Sequence, residues 1–223
     1  MAYEPREHHP AFEEYCEAIF ELEEDGLKPI QSRLAERLGV SRAAVSRMVT
    51  RMTEEDLVAR KKNGSVTLTD DGKFLARTIV RRHRLAERFL TDVLGMNWTD
   101  AHHEAGKWEH VISPAVEKAM NRLLEDPTTC PHGNPIPGSS YEEPDLKHLS
   151  QMSKGKHFTI VRIREELECT PGLLQFLESA SLMPGFKGEV LFSAPDGATT
   201  VNLGEGDVRI EAFAAERILV KSN

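Results

Sequence analysis

The chain has 223 residues, 39% of them hydrophobic, and a formal net charge of −8. That length exceeds one typical domain, so two or three compact units are expected. No apolar run reaches the roughly 18 residues of a membrane span, and the polar start, Met1 to Pro10, lacks a signal core, which predicts a cytoplasmic protein.

Apolar and aromatic residues at Phe12, Tyr15, Ile19, Phe20 and Leu22 predict a first helix from Pro10 to Glu24, ended by Asp25-Gly26. Pro29 sits where a second helix can begin, Leu34, Ala35 and Leu38 give it an apolar face, and Gly39-Val40 make a short turn. Ser41 caps a third helix running to Glu55. It buries Val45, Met48, Val49 and Met52 while Arg42, Arg47 and Arg51 lie largely off that stripe. Two short extended runs, Leu57 to Arg60 and Ser65 to Leu68, flank Lys61-Lys62-Asn63-Gly64, whose Asn-Gly signals a hairpin. The pattern is a helix-turn-helix followed by a basic wing.

Charge agrees with that pattern. An acidic total disfavours nucleic acid, because phosphate affinity is largely Coulombic and counterion-driven. Residues 28 to 62, however, hold nine Lys and Arg against four Asp and Glu, whereas residues 1 to 27 hold one against nine. Double-stranded DNA is therefore the expected partner. Ser41, Arg42, Ala43, Ser46 and Arg47 open the third helix and are candidates for base edges. Ser32, Thr50, Arg51, Lys61 and Lys62 are candidates for phosphates.

Further along, a long helix is predicted from Asp71-Gly72 to about Val93, another from about Thr99 to Val111, and a third from Pro114 to Glu125. Pro127, Pro131, Pro135, Pro137 and Pro144, with Gly133 and Gly138, then forbid regular helix and mark a wrapping loop or linker. Strands are predicted at Phe158 to Ile163, Gly188 to Phe192, Thr199 to Leu203 and Val208 to Ala212, with a helix at Pro171 to Ser179, giving a small barrel. Cys16, Cys130 and Cys169 are too scattered for a disulfide framework or a zinc ribbon.

Four stretches, Leu22-Glu23-Glu24-Asp25-Gly26, Val80-Arg81-Arg82-His83-Arg84-Leu85-Ala86-Glu87-Arg88, Trp108-Glu109-His110 and Gly133-Asn134-Pro135-Ile136-Pro137-Gly138, resemble the diphtheria toxin repressor family of metal-dependent regulators. The resemblance spans nearly the whole chain. It implies a mainly α fold with small β parts: a winged helix-turn-helix DNA-binding domain over 1–77 and a helical dimerisation and metal-binding domain over 78–140. A linker over 141–152 and an SH3-like (FeoA-like) domain over 153–223 complete it. It also implies a homodimer with two metal sites per subunit and no organic substrate.

In family positions the primary site falls on Glu14, Glu17, His83, Gly106, Glu109 and His110. The ancillary site falls on His83 or its neighbourhood, Glu87, His102, Glu165 and Glu168. Iron-type members carry Met at the position of Glu14 and Cys at that of Gly106; here a carboxylate replaces the thioether and the thiol is gone. Glu17 resembles the acidic residue of manganese-type members, and Cys130 with His132 resembles a pair that some of these use. Oxygen-rich sets suit Mn(II). The implied function is a repressor of metal-uptake genes activated by Mn(II), with Fe(II) as the alternative ion.

Spacing alone is less selective. His83 and Glu87 lie i,i+4, and Glu165 and Glu168 i,i+3, so each pair shares a helical face. A surface pair would look the same. Glu109 and His110, read as helical, stand about 100° apart. Two other classes share some of these features: a metal hydrolase, for which no Ser or Cys nucleophile or His-Glu-x-x-His arrangement accompanies the ligands, and a winged-helix regulator sensing an organic ligand.

Overall fold

Tyr15, Ile19 and Leu22 return at helical spacing and are buried along one stripe of α1 (Pro10–Glu24). The computed structural model describes residues 10–204 and 206–222; the polar start, 1–9, lies outside them. Two compact units result, one built from the chain up to Arg82 with Glu109–Ile112, the other from His83–Trp108 and Ser113 onward. Among the described residues no helix is long and apolar enough to cross a membrane.

In the first unit, α1 is followed by α2 (Gln31–Arg37) and α3 (Arg42–Glu54). Ser41 ends the turn between them and caps α3 by accepting from the Ala44 amide at 3.1 Å. Strands β1 (Val58–Arg60) and β2 (Val66–Leu68) pair antiparallel, Val58 opposite Leu68 and Arg60 opposite Val66. Asn63 shapes the hairpin tip by accepting from the Ser65 amide and hydroxyl at 3.1 and 2.7 Å, and Gly64 takes φ +81°. Ile19, Leu34, Val45, Val49, Met52, Leu68 and Ile79 close one core beneath these elements. Each such side chain contributes about 1.5–3 kcal/mol on full burial.

α4 (Asp70–Arg88) runs on as a π-helical turn, Phe89–Val93, and α5 (Trp98–Trp108) and α6 (Pro114–Leu123) follow. α5 stops short of the Val111 expected from periodicity. Ser113 must be extended (φ −73°, ψ 157°) to cap α6 ahead of Pro114, so Glu109 to Val111 form a turn instead.

Past the Pro-rich loop, the second unit carries a six-stranded antiparallel sheet. Its members are β3 (Lys147–His148), β4 (His157–Ile163), β5 (Lys187–Ser193), β6 (Thr199–Asn202), β7 (Asp207–Ile210) and β8 (Ile218–Ser222), in the order β3-β8-β4-β5-β6-β7. Short helices α7 (Glu165–Glu168), α8 (Leu173–Ser179) and α9 (Ala212–Ala215) join them. Register shifts in β4 between Ile160 and Arg162, and in β5 between Val190 and Phe192, mark bulges that bend the sheet. Phe158, Ile160, Val190, Val201, Ile218 and Val220 form its core with Leu174 and Leu177 of α8.

Two strands were not expected. β3 falls in the stretch read as linker, and β8 lies between β3 and β4. Conversely, Ala212, read as the end of a strand, begins α9.

Candidate metal centres and nucleic-acid interface

Arg42, Ala43, Arg47, Thr50 and Arg51 are exposed on α3, Ser46 is half-buried, and Lys61 and Lys62 are exposed at the hairpin tip; Ser32 on α2 is half-buried. One residue that sequence reasoning missed joins hairpin to helix. Arg60 donates to the Ser46 carbonyl at 3.0 Å and to the Thr50 hydroxyl at 2.7 Å. Arg51 lies over the Phe12 ring, 5.3 Å from its centroid, so its guanidinium is anchored against α1.

On α1 the first unit gathers acids around the turn after α5. The His110 Nδ1 stands 2.6 Å from a Glu13 carboxylate oxygen and its Nε2 3.2 Å from Glu109. Carboxylate oxygens of Glu17 and Glu109 come within 4.8 Å of each other. Glu13, the neighbour of the expected ligand Glu14, makes this hydrogen bond to His110. Glu14 is exposed beside it and acts on His110 through charge alone. The Glu13 hydrogen bond holds the His110 imidazole above its usual range against the opposing effect of burial, with the charges of Glu109, Glu13 and Glu14 adding to it. A divalent ion bound to the same donors would compete with a proton on that ring. Gly106 faces open space: a Cβ built there meets nothing within 4 Å.

In the second unit, side chains from four segments converge. His83 and Glu87 come from α4, His102 from α5, Cys130 and His132 from the Pro-rich loop, and Glu165 and Glu168 from α7. A single oxygen, Glu87 Oε1, lies 3.2 Å from His83 Nε2, 2.9 Å from His102 Nδ1 and 3.5 Å from His132 Nδ1. His132 Nδ1 is also 2.8 Å from Glu168 Oε2 and 3.7 Å from the Cys130 sulfur. Trp98 packs edge-on against the His132 ring at 4.4 Å between centroids.

Burial and charge contend throughout this cluster. Burial would raise the Glu87 pKa, yet His132, His83 and the hydrogen bond from His102 hold it well below the usual carboxylate range. His102 and His132 are held well above the usual imidazole range although burial opposes it: Cys169 and Glu87 act on the first, Glu168 and Glu87 on the second. Burial, reinforced by Glu165, raises Glu168, and burial with Glu87 pushes the Cys130 thiol up to about 11. Glu87 Oε2 and His132 Nε2 are buried without a hydrogen-bond partner. Buried polar atoms are ordinarily satisfied, so orphaned atoms within a cluster of His, Cys and Glu donors fit a site for a divalent cation.

Around these donors lies a shell of polar side chains that hold them in place. Asn134 donates to Glu168 at 2.6 Å and to the Ile163 carbonyl at 2.9 Å, and accepts from Arg162 at 2.6 Å. Arg84, only 1% exposed, bonds the Pro135 carbonyl at 2.5 Å and Glu165 at 3.3 Å. Gly133 has φ +86°, and a Cβ there would collide with the Val161 carbonyl, so the loop lies flush on β4.

Three family profiles match in sequence order. The N-terminal DNA binding domain of iron dependent repressors covers residues 9–66, the metal binding and dimerisation domain of iron dependent repressors 69–138, and the FeoA domain 147–222. The diphtheria toxin repressor of Corynebacterium diphtheriae is 45% identical over 218 residues, 94% of this chain and 96% of that protein. The iron-dependent repressor IdeR of Mycobacterium tuberculosis is 34% identical over 220 residues, with the same two coverages of 94% and 96%. Among solved structures, a manganese-dependent transcriptional repressor in complex with manganese superposes with TM-score 0.84 at 31% identity, covering 95% of this chain and all (100%) of that one. The manganese regulator SloR gives TM-score 0.78 at 29% identity, with coverages of 97% and 100%.

Proposed function

We propose that this chain, which belongs to the diphtheria toxin repressor family of metal-dependent regulators, is a homodimeric repressor that binds operator DNA when loaded with Mn(II) and silences metal-uptake genes. The family is one of DNA-binding transcriptional repressors, not enzymes. One observation carries the choice of ion: Glu13, Glu17, Glu109 and His110 offer only carboxylate oxygen and imidazole nitrogen. Hard donors of this kind suit Mn(II) better than thioether or thiolate sets do.

In this reading Glu13 takes the part expected of Glu14, and the buried cluster of the second unit is the other metal site. Ser41, Arg42, Ala43, Ser46 and Arg47 meet base edges, and Ser32, Thr50, Arg51, Lys61 and Lys62 meet phosphates. The ion joins α1 to the turn at Glu109–His110, which is covalently continuous with α5 and α6. That restrains the spacing of the two recognition helices in a dimer, which must match half-sites roughly 34 Å apart. It also neutralises carboxylates that would repel phosphate.

Fe(II) activation is the second reading, favoured by the 34% identity to the iron-dependent repressor IdeR over 94% of this chain. Fluorescence anisotropy with duplexes selected from random sequence by the Mn-loaded protein decides between them. Added Mn(II) is expected to tighten binding at least about tenfold, a coupling of about 1.4 kcal/mol, and Glu109→Ala to remove the effect. Equal binding with and without metal ends the reading, and tighter binding with Fe(II) at matched free-ion concentration favours the second.

A further inference from the structure

The buried cluster of the second unit contains more donors than one ion can take. A first-row dication accepts four to six, whereas seven donor side chains converge here. Six of them sort into two triads with no member in common, His83–His102–Glu165 and Glu87–Cys130–His132, each with its ligand atoms within 4.8 Å of one another. A third triad, Glu87–His102–Glu168, links the two.

We propose that this cluster holds two divalent cations side by side, one on each triad, with the Glu87 carboxylate between them. The proposal deepens the metal-dependent reading above and rests on it. Donor spacings support separate positions. Metal bonds of about 2.1 Å to nitrogen and oxygen and 2.3 Å to sulfur put tetrahedral edges at about 3.6 Å. The His132 Nδ1 stands 3.7 Å from Cys130 Sγ and 3.5 Å from Glu87 Oε1, matching such edges. Donors of the other triad, His83 Nε2 and His102 Nδ1, stand 3.3 Å apart. Glu87 lies between the triads: its Oε1 is 3.2, 2.9 and 3.5 Å from His83, His102 and His132, and its Oε2 is buried with no hydrogen-bond partner. The triads also differ in chemistry. One is nitrogen and oxygen only, and the other includes a thiol, so it favours softer ions.

The test uses the full chain carrying Glu13→Ala, Glu17→Ala, Glu109→Ala and His110→Ala, which removes the four donors of the first unit and leaves the donors of the cluster in place. Co(II) is titrated by calorimetry, and bound metal is counted after gel filtration. Two equivalents per chain are expected, with a thiolate-to-cobalt charge-transfer band and, on Mn(II) loading, an exchange-coupled electron paramagnetic resonance spectrum. Cys130→Ser, a near-isosteric change that spares the fold, should abolish the band; Cys169→Ser should keep it. Adding His102→Ala should lower the count to one and leave the band. One equivalent in the starting protein, or a band that survives Cys130→Ser, overturns the dinuclear proposal while leaving metal-dependent repression standing. No bound metal in this variant overturns the cluster as a metal site, while the anisotropy experiment on the unsubstituted chain separately decides metal-dependent repression.

Discussion

The donors around His110 and those around His132 are alike in kind and differ in exposure. His110 and Glu13 keep 17% and 13% of their side-chain surface in solvent, whereas His132 and Glu168 keep 1% and 0%. Where water can reach a charge, losing its partner costs little; in a dry pocket the same loss strands a charge or an unsatisfied atom. A half-open site is suited to exchanging its ion with the cell's pool. A sealed one is suited to holding its ion as part of the fold.

Removing one carboxylate from each site tests that contrast most severely. In the metal-free protein, Glu87→Ala leaves His83, His102 and His132 facing an emptied acceptor and is expected to cost about 3–5 kcal/mol. Glu13→Ala is expected to cost at most about 1 kcal/mol, since its pair with His110 is partly screened. Urea denaturation followed by circular dichroism measures both, and comparable losses would erase the distinction. Gly133→Ala comes next, at about 3 kcal/mol. It combines a positive φ that L residues resist with a collision against the Val161 carbonyl. Because that loop carries Cys130 and His132, metal content measured after reconstitution should fall in the second unit and not in the first.

How far the sequence reaches follows the same divide. Helix boundaries in the first unit are local matters, written in Ser41, Asn63-Gly64 and the spacing of Val45, Val49 and Met52, and the structure agrees with them. The ancillary-site positions His83, Glu87, His102, Glu165 and Glu168 lie together in the structure, and Cys130 and His132, read as a separate pair, join them there. Adjacent residues on one helix are harder to separate. Glu13 and Glu14 sit together among nine acids, and only a partner 97 residues away distinguishes them. Glu109 and His110 looked helical because the demand of Ser113 and Pro114 for extended backbone acts several residues upstream. β8 escaped notice because Ile218 to Val220 form a brief apolar run whose pairing with β3 and β4 is entirely long-range. Arg84 and Asn134 lie in stretches that carry the resemblance and Arg162 in a predicted strand, but their bracing of the cluster depends on partners distant in sequence.

Acidity should act on both sites with the same sign and unequal size. His102 and His132 are held well above the usual imidazole range, and His110 is held above it less strongly. A raised folded pKa means that these imidazoles stabilise the metal-free fold fully below the unfolded value of about 6.5. That stabilisation fades as pH rises through the folded values. An incoming ion must expel the same protons, so metal affinity should rise with pH, by about tenfold per unit for each proton displaced. Calorimetry in buffers of different ionisation enthalpy counts the protons released near neutral pH. More should leave the second unit than the first, with Glu109→Ala and Glu87→Ala proteins used to separate them, and no release from either would remove the premise that protons compete with the ion.

The smallest expected effect belongs to a residue outside both clusters. Ser41 holds the Ala44 amide at the start of α3, so Ser41→Ala should cost about 1 kcal/mol of stability, as caps typically do. Its predicted place at the DNA makes the outcome informative beyond stability. If Ser41 serves only as a cap, Ser41→Asp should restore stability and leave DNA affinity unchanged. If the residue also approaches bases or phosphates, Ser41→Asp should restore the melting temperature yet weaken Mn-dependent binding in anisotropy, because the new carboxylate would face the duplex.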